Sequence, residues 1–308
     1  MILINDVGYE GQLNNVGDIL SCRRHLKAAN ELHLKFVDDL TLAEAVNLSK
    51  DLLPIPDNEQ KHPTTYHERT GHFLPTENSK VVNQLLRTED YSKENDMKIN
   101  LGKTNLMLFN NCRSLDFNPN VLISDQKIQL VEETRLLGLI VSSDLKWSAN
   151  TNKLVNKAYK RLWIIRRLKK LGAEPHSLCE IYTKQIRCLL ELASPVWTGS
   201  ITKNEMIQIE RVQKCALHII LGHAYTTYQE ALYLLNLEPL QTRRKHLALK
   251  FALKAENHPK FRTWFKPNPK FGKTRTLQPK YYPIKSSNWR LERGPIGYLT
   301  TLLNNHYS

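Results

Sequence analysis

The chain has 308 residues, enough for two domains that each bury a core without help from disulfides or a structural metal. Its 41% hydrophobic content and 12 glycines describe a folded chain. Its apolar runs fall short of the roughly 20 residues a membrane span needs, which excludes a membrane-spanning reading. The net charge of +14 is unevenly spread: residues 1–150 hold 16 Lys+Arg against 21 Asp+Glu, whereas residues 151–308 hold 28 against 9. Such a cationic second half suits a polyanion, because each neutralised phosphate releases condensed counterions; an idle basic surface is the plain alternative. Cys22, Cys112, Cys179, Cys188 and Cys215 show no CxxC pair and no zinc-type spacing, so reduced, packed thiols are expected. The opening Met1-Ile-Leu-Ile-Asn-Asp6 has no secretion signal, so an intracellular location, nuclear or cytoplasmic, is expected.

Leu32-His-Leu-Lys-Phe-Val37 alternates as a short strand does, and Asp38-Asp39 ends it as a turn. Thr41-Leu-Ala-Glu44 has capping-box spacing ahead of Ala45, Val46, Leu48 and Leu52, which predicts a helix from near Leu42 that stops before Pro54. Residues 54–79, rich in Pro, His, Thr, Asn and Glu, read as a mobile surface insertion. Val81 to about Asn95 has helical spacing. Short strands are predicted at Met97–Ile99, Leu106–Phe109, Val121–Ser124, Lys127–Val131 and Arg135–Val141, giving an α+β first half with a small, largely antiparallel sheet.

After Trp147 the pattern turns helical. Leu154, Ala158, Leu162 and Ile165 share one face of a helix predicted over about Asn152–Leu171, and Lys153, Lys157, Lys160 and Arg167 lie roughly opposite. Further helices are predicted over about 177–192, 203–221, 228–235 and 240–256. From His258 onward the chain is rich in Pro, Lys, Tyr and Trp with weak periodicity, and no internal repeat is visible.

Phe36-Val37-Asp38-Asp39 is the sharpest local signal. Adjacent residues of a strand point to opposite faces, so two neighbouring carboxylates serve one centre only where a tight turn breaks the alternation. Two such carboxylates repel unless a cation lies between them, and Mg²⁺ held by carboxylates and substrate phosphates is the arrangement used for phosphoryl transfer. By themselves the four residues fit a helix cap or a solvated turn as well.

The same four residues resemble the catalytic hairpin of reverse transcriptases in the variant used by non-LTR retrotransposons, and further segments follow in that family's order. Met1–Gly8 looks like the end of the helix that closes over the incoming nucleotide. Asp96-Met-Lys-Ile-Asn-Leu-Gly-Lys-Thr-Asn-Leu-Met-Leu-Phe109 resembles the next palm motif, with Asn100, Lys103 and Thr104 at its marked positions. Leu136-Leu-Gly-Leu-Ile-Val-Ser-Ser-Asp-Leu-Lys-Trp147 looks like the palm-to-thumb hairpin that holds the primer end. Leu171 to Trp197, with Ile209 to Gly222, resembles the region beyond the thumb in the jockey-like and related branches. The likeness spans roughly residues 1–265.

The resemblance implies a partial palm over 1–150, a thumb-like and distal helical region over 151–257, and a basic, partly irregular tail over 258–308. It implies RNA-directed DNA polymerase chemistry with Mg²⁺ as cofactor, an RNA template and DNA primer as partners, and dNTP as substrate of a full-length parent. Asp38 would be a ligand of both metals and Asp39 the second carboxylate. Lys103 would lie near the triphosphate. Arg135, Gly138 and Trp147 would touch the primer, and Lys153, Lys157, Lys160 and Arg167 would track phosphates of the template duplex. Trp147 and Trp197 are otherwise core aromatics.

The chain departs from the family pattern ahead of Asp38, where the third aspartate of the metal cage belongs. Its acids there are Asp6, Glu10, Asp18 and Glu31, and none has a strand-like context. A truncated element without polymerase activity of its own is therefore expected. A non-catalytic nucleic-acid-binding protein derived from it is the main alternative, and a partner-docking protein the third. No endonuclease motif, RNase H-type carboxylate set or zinc knuckle is recognisable.

Overall fold

The computed structural model describes residues 2–5, 9–10, 32–36, 39–44, 53–54, 65–67, 72–74, 80–109, 117–119, 121–124, 126–273, 278–285 and 292–308. The chain divides into two compact units, Met1–Leu145 and Lys146–Ser308. The first is α+β with small sheets and the second is mainly helical.

The first unit contains strands β1 (Ile2–Asn5), β2 (Tyr9–Glu10), β3 (Leu32–Phe36), β4 (Asp39–Glu44), β5 (Leu53–Pro54), β6 (Thr65–His67) and β7 (His72–Leu74). Helix α1 (Lys80–Glu94) follows, then β8 (Lys98–Ile99), β9 (Asn105–Leu108), β10 (Phe117–Pro119), β11 (Leu122–Ile123), β12 (Gln126–Lys127), β13 (Gln129–Leu130), β14 (Glu133–Leu136) and β15 (Leu139–Ser142). The main sheet runs β13-β9-β1-β4-β3 and is antiparallel except where β13 meets β9. Val81, Val82 and Leu85 of α1 pack on Leu106, Val121, Ile123 and Ile128 to make its core.

Five expectations change here. Met1–Gly8, expected to be a helix end, contributes β1 at the sheet's centre, so Asp6 directly follows a strand, contrary to the sequence reading. Of the helix predicted from Leu42, residues 42–44 belong instead to β4, and residues 45–52 lie outside the described residues. The two-residue connection from Phe36 to Asp39 supplies β4 with one partner, β1 supplies the other, and pairing on both sides outweighs a capping box. The insertion at 54–79 contains β6 and β7, which pair as a short hairpin in the sheet β10-β6-β7-β5, and three-residue strands are too short for periodicity to reveal. The span 127–131 also splits between β12 and β13, and 135–141 is a hairpin rather than one strand.

The second unit begins with α2 (Ser148–Lys170), four residues earlier than predicted. Next come α3 (Pro175–Ile181), a π-helical turn at Tyr182–Arg187, α4 (Cys188–Glu191), α5 (Ser194–Trp197), α6 (Lys203–Leu221), α7 (Tyr228–Leu234), α8 (Leu240–Glu256) and α9 (Pro295–Tyr307). The single helix expected over 177–192 is thus interrupted by the π turn, and α9 lies in the tail where no element was predicted. Leu154, Ala158, Leu162 and Ile165 of α2 are buried, as are Ile209, Val212, Ala216, Leu217 and Ile220 of the adjoining α6. Thr202 and Glu205 form a capping box at the start of α6.

A buried polar chain joins four elements. The Tyr182 hydroxyl donates to Gln213 Oε1 at 2.6 Å, and Gln213 Nε2 donates to the Tyr228 hydroxyl at 2.9 Å. Tyr228 in turn donates to Glu210, whose carboxylate also accepts the backbone N–H groups of Leu240 and Gln241 at 3.0 and 3.3 Å and so caps α8. Among the described residues Cys179, Cys188 and Cys215 are free thiols, but only Cys179 is buried, so the expectation of packed thiols fails for the other two. Also among the described residues, no helix is long and apolar enough to cross a membrane.

Helix α9 is held on α8 by small residues and one carboxylate. Ala248, Ala252 and Ala255 admit Leu299, Leu302 and Leu303, and α9 also meets the chain just after α5, where a Cβ at Gly199 would stand 2.5 Å from that of Tyr298. Glu256 accepts from Lys280 Nζ at 2.6 Å, from the Tyr307 hydroxyl at 2.9 Å and from the Tyr281 hydroxyl. Burial alone would raise the Glu256 pKa, but these three donors outweigh it and hold it below the ordinary value. A lowered carboxylate stabilises the fold above its unfolded pKa, and that stabilisation is lost as pH falls through the folded value. Glu256→Gln is expected to cost about 2 kcal/mol in this clamp. Protection factors for amide exchange across residues 295–307, taken against the intrinsic rate at the same pH, should fall in that variant at neutral pH and in the unmodified chain under acid.

Candidate nucleic-acid interface

Helix α2 contains eight Lys+Arg and no Asp or Glu. Burial of the Leu154–Ile165 face against α6 decides which of the eight meet solvent. Lys153, Lys157, Lys160 and Arg167 are exposed and form no ion pair among the described residues. At 3.6 residues per turn they fall within about 80° of arc and about 21 Å of helix length, an unneutralised stripe of the kind that follows a phosphate backbone. Arg166 and Lys170 are exposed beside it, as is Trp163, 62% accessible, which the sequence reading did not single out. The absence of acids from 148–170 was the readable signal for the stripe. Exposure of Trp163 was not readable, because an aromatic in an amphipathic helix is more often core.

Two cations of α2 serve the fold. Arg161 donates to the Gln185 carbonyl at 2.6 Å, inside the π turn. Lys169 Nζ donates to the carbonyls of Ile219 and Ile220 at 2.6 and 3.2 Å, satisfying the end of α6. Gly222, at φ +59°, leaves room for it, since a Cβ there would lie 2.5 Å from the ammonium.

In the first unit Asp38 lies outside the described residues, and Asp39 opens β4 opposite Phe36. The registers Ile4↔Leu42 and Asn5↔Asn105 put the end of β1, the start of β4 and the start of β9 at one end of the sheet. Lys103 is exposed in the turn just ahead of β9, so its loop and the start of β4 share that end, about 10 Å apart across two strand spacings. Asn100 and Thr104 shape the turn: Asn100 accepts the Lys103 N–H on both its backbone and side-chain oxygens, at 3.1 and 3.2 Å, and Thr104 Oγ1 donates to the Asn100 carbonyl at 2.9 Å.

Arg135 and Gly138 lie on the β14–β15 hairpin. Its two-residue loop, Leu137-Gly138, has φ of +47° and +91°, the positive values that match the twist of a tight hairpin. Leu137 is 55% exposed at this tip, a left-handed conformation that an apolar side chain rarely takes. Trp147 is partly buried and its carbonyl accepts the Thr151 N–H in the first turn of α2. Trp197 is fully buried, its indole N–H donating to the Leu192 carbonyl, which leaves it in the core. The hairpin and the α2 cations belong to different units. Among the described residues no three His, Cys, Asp or Glu gather as metal ligands do.

The different tasks of neighbouring cations are measurable. Arg161→Ala is expected to lower unfolding free energy in urea by about 1 kcal/mol, whereas Lys160→Ala should leave it within about 0.5 kcal/mol.

Compared with protein-family models, curated proteins and solved structures, the chain matches none.

Proposed function

We propose that the chain derives from a non-LTR retrotransposon reverse transcriptase and that its own activity is to bind template-primer nucleic acid, chiefly through the cationic stripe of α2. That stripe carries the reading: four aligned, unpaired cations on a rigid helix without an acidic residue have more use for a phosphate backbone than for the fold. The order of segments supports the ancestry, with Phe36-Val-Asp-Asp39 at a tight strand connection, the Lys103 turn at the same sheet end, and a hairpin ahead of the helical unit.

Asp38 and Asp39 are hard oxygen donors of the type Mg²⁺ takes, and two carboxylates supply only part of its shell. Strand β1, which ends one residue before Asp6, pairs with β4, so Asp6 is the upstream acid to change beside the Asp38-Asp39 pair. The chain is expected to bind without extending.

Primer extension on poly(rA) with oligo(dT), Mg²⁺ and dTTP tests this beside Asp38→Ala, Asp39→Ala and Asp6→Asn. No extension is the expected result. Extension abolished by each of the three changes would make the chain a polymerase. Changing Lys153, Lys157, Lys160 and Arg167 to Ala should weaken binding of the template-primer and reduce the slope of log K against log[salt] by about 3 to 4. An unchanged slope would remove α2 from the interface. Binding that responds to Mg²⁺ through Asp38 and Asp39 favours the polymerase remnant; binding indifferent to both favours a charge-only binder.

A further inference from the structure

Residues 257–291 contain nine Lys+Arg and no Asp or Glu. The described part of this segment is anchored by two aromatics, Phe265 and Tyr281, which are buried with their rings 5.6 Å apart in the core between α8 and α9. An antiparallel bridge joins Pro267 to Tyr281, and the backbone N–H groups of Tyr282 and Asn268 donate to the carbonyls of Lys266 and Lys280, each at 2.9 Å. The Asn268 side chain adds a bond to the Pro279 carbonyl at 3.0 Å.

Neighbouring residues of extended chain point to opposite sides. With Phe265 and Tyr281 turned inward, Lys266 and Tyr282 face solvent, and Lys266 Nζ lies 5.8 Å from the Tyr282 ring centre. Trp264 ends a ladder of rings, 4.8 Å from Phe261, which stands 4.6 Å from His258. Trp264 is 37% and Tyr282 41% exposed. Lys260, Arg262, Lys266, Lys270 and Lys273 are all exposed and make no ion pair among the described residues.

We propose that this face is a second nucleic-acid site, built on residues other than those of α2, which takes single-stranded RNA or DNA by stacking unpaired bases on Trp264 and Tyr282. The surrounding cations meet the phosphates. Aromatic faces interleaved with cations are the combination that holds single strands with little regard to sequence. Bases inside a duplex are already stacked, so the aromatic contribution is confined to unpaired strands. A lipid surface fits less well: Trp264 and Tyr282 are set among the exposed cations Arg262, Lys266 and Lys285 rather than in a continuous apolar stripe that could enter the acyl region. The site stands independently of the α2 reading.

The test titrates the full chain with labelled oligo(dT) and oligo(rU), a blunt duplex, and phosphatidylserine vesicles. Trp264→Ala with Tyr282→Ala should weaken oligonucleotide binding about tenfold or more and leave duplex binding unchanged. Trp264→Phe with Tyr282→Phe should restore most of the loss, which separates stacking from a folding defect. The aromatic effect should persist when the four α2 cations are Ala. Equal loss on duplex and single strand, or no loss on either, would overturn the proposal. Vesicle binding that depends on the two aromatics, without a matching effect on oligonucleotides, would overturn it in favour of a membrane surface.

Discussion

The apolar face of α2 turns inward against α6, the π turn and the short helices that flank it, and most of what α2 offers to solvent follows from that burial. Once Leu154, Ala158, Leu162 and Ile165 are turned inward, Lys153, Lys157, Lys160 and Arg167 have to stand outward in line. The same seam brings Arg161 to the Gln185 carbonyl of the π turn and Lys169 to the end of α6, where it satisfies carbonyls that helix geometry leaves open. Charge on this helix is therefore divided by position: cations at the flank of the seam brace the fold, and those opposite it are available to a partner.

The buried groups around the seam follow the same logic. Gln213 is fully buried and survives there because Tyr182, Tyr228 and the Glu238 carbonyl take up its donors and acceptor. Arg244 is buried too, with its guanidinium 5.7 Å from the centre of the Trp197 ring; burial lowers its pKa, and Glu210 and Glu191 act in the other direction. Farther along, the three donors to Glu256 convert a basic, weakly periodic tail into a fixed platform. That fixed backbone holds Trp264 and Tyr282 outward.

In the first unit the governing interaction is strand pairing rather than local propensity. Thr41 and Glu44 have the spacing of a helix start, yet β4 lies between β1 and β3 because a two-residue connection makes one pairing almost unavoidable and β1 completes the other. Ile2–Asn5 has the composition of a helix end as much as of a strand, and only the sheet decides between them. The outcome matters for chemistry, since the centre strand delivers Asn5 to the sheet end where β4 begins.

The sequence alone determined the charge division, the acid-free helix with its apolar spacing, helix α1 and the positions of β9 and the hairpin region. These signals are local: a side chain's charge and a 3.6-residue period survive without knowledge of neighbours. It also made the Asp38-Asp39 pair conspicuous. Only the tertiary structure decided that residues 2–5 and 39–44 are neighbouring strands, that Arg161 and Lys169 are structural while Lys160 and Arg167 are exposed, and that Trp264 and Tyr282 face out while Phe265 and Tyr281 face in. The reason is the same in each case: which of two acceptable conformations or two similar side chains is used depends on a partner far away in the chain, and that partner's position is not written in the local pattern.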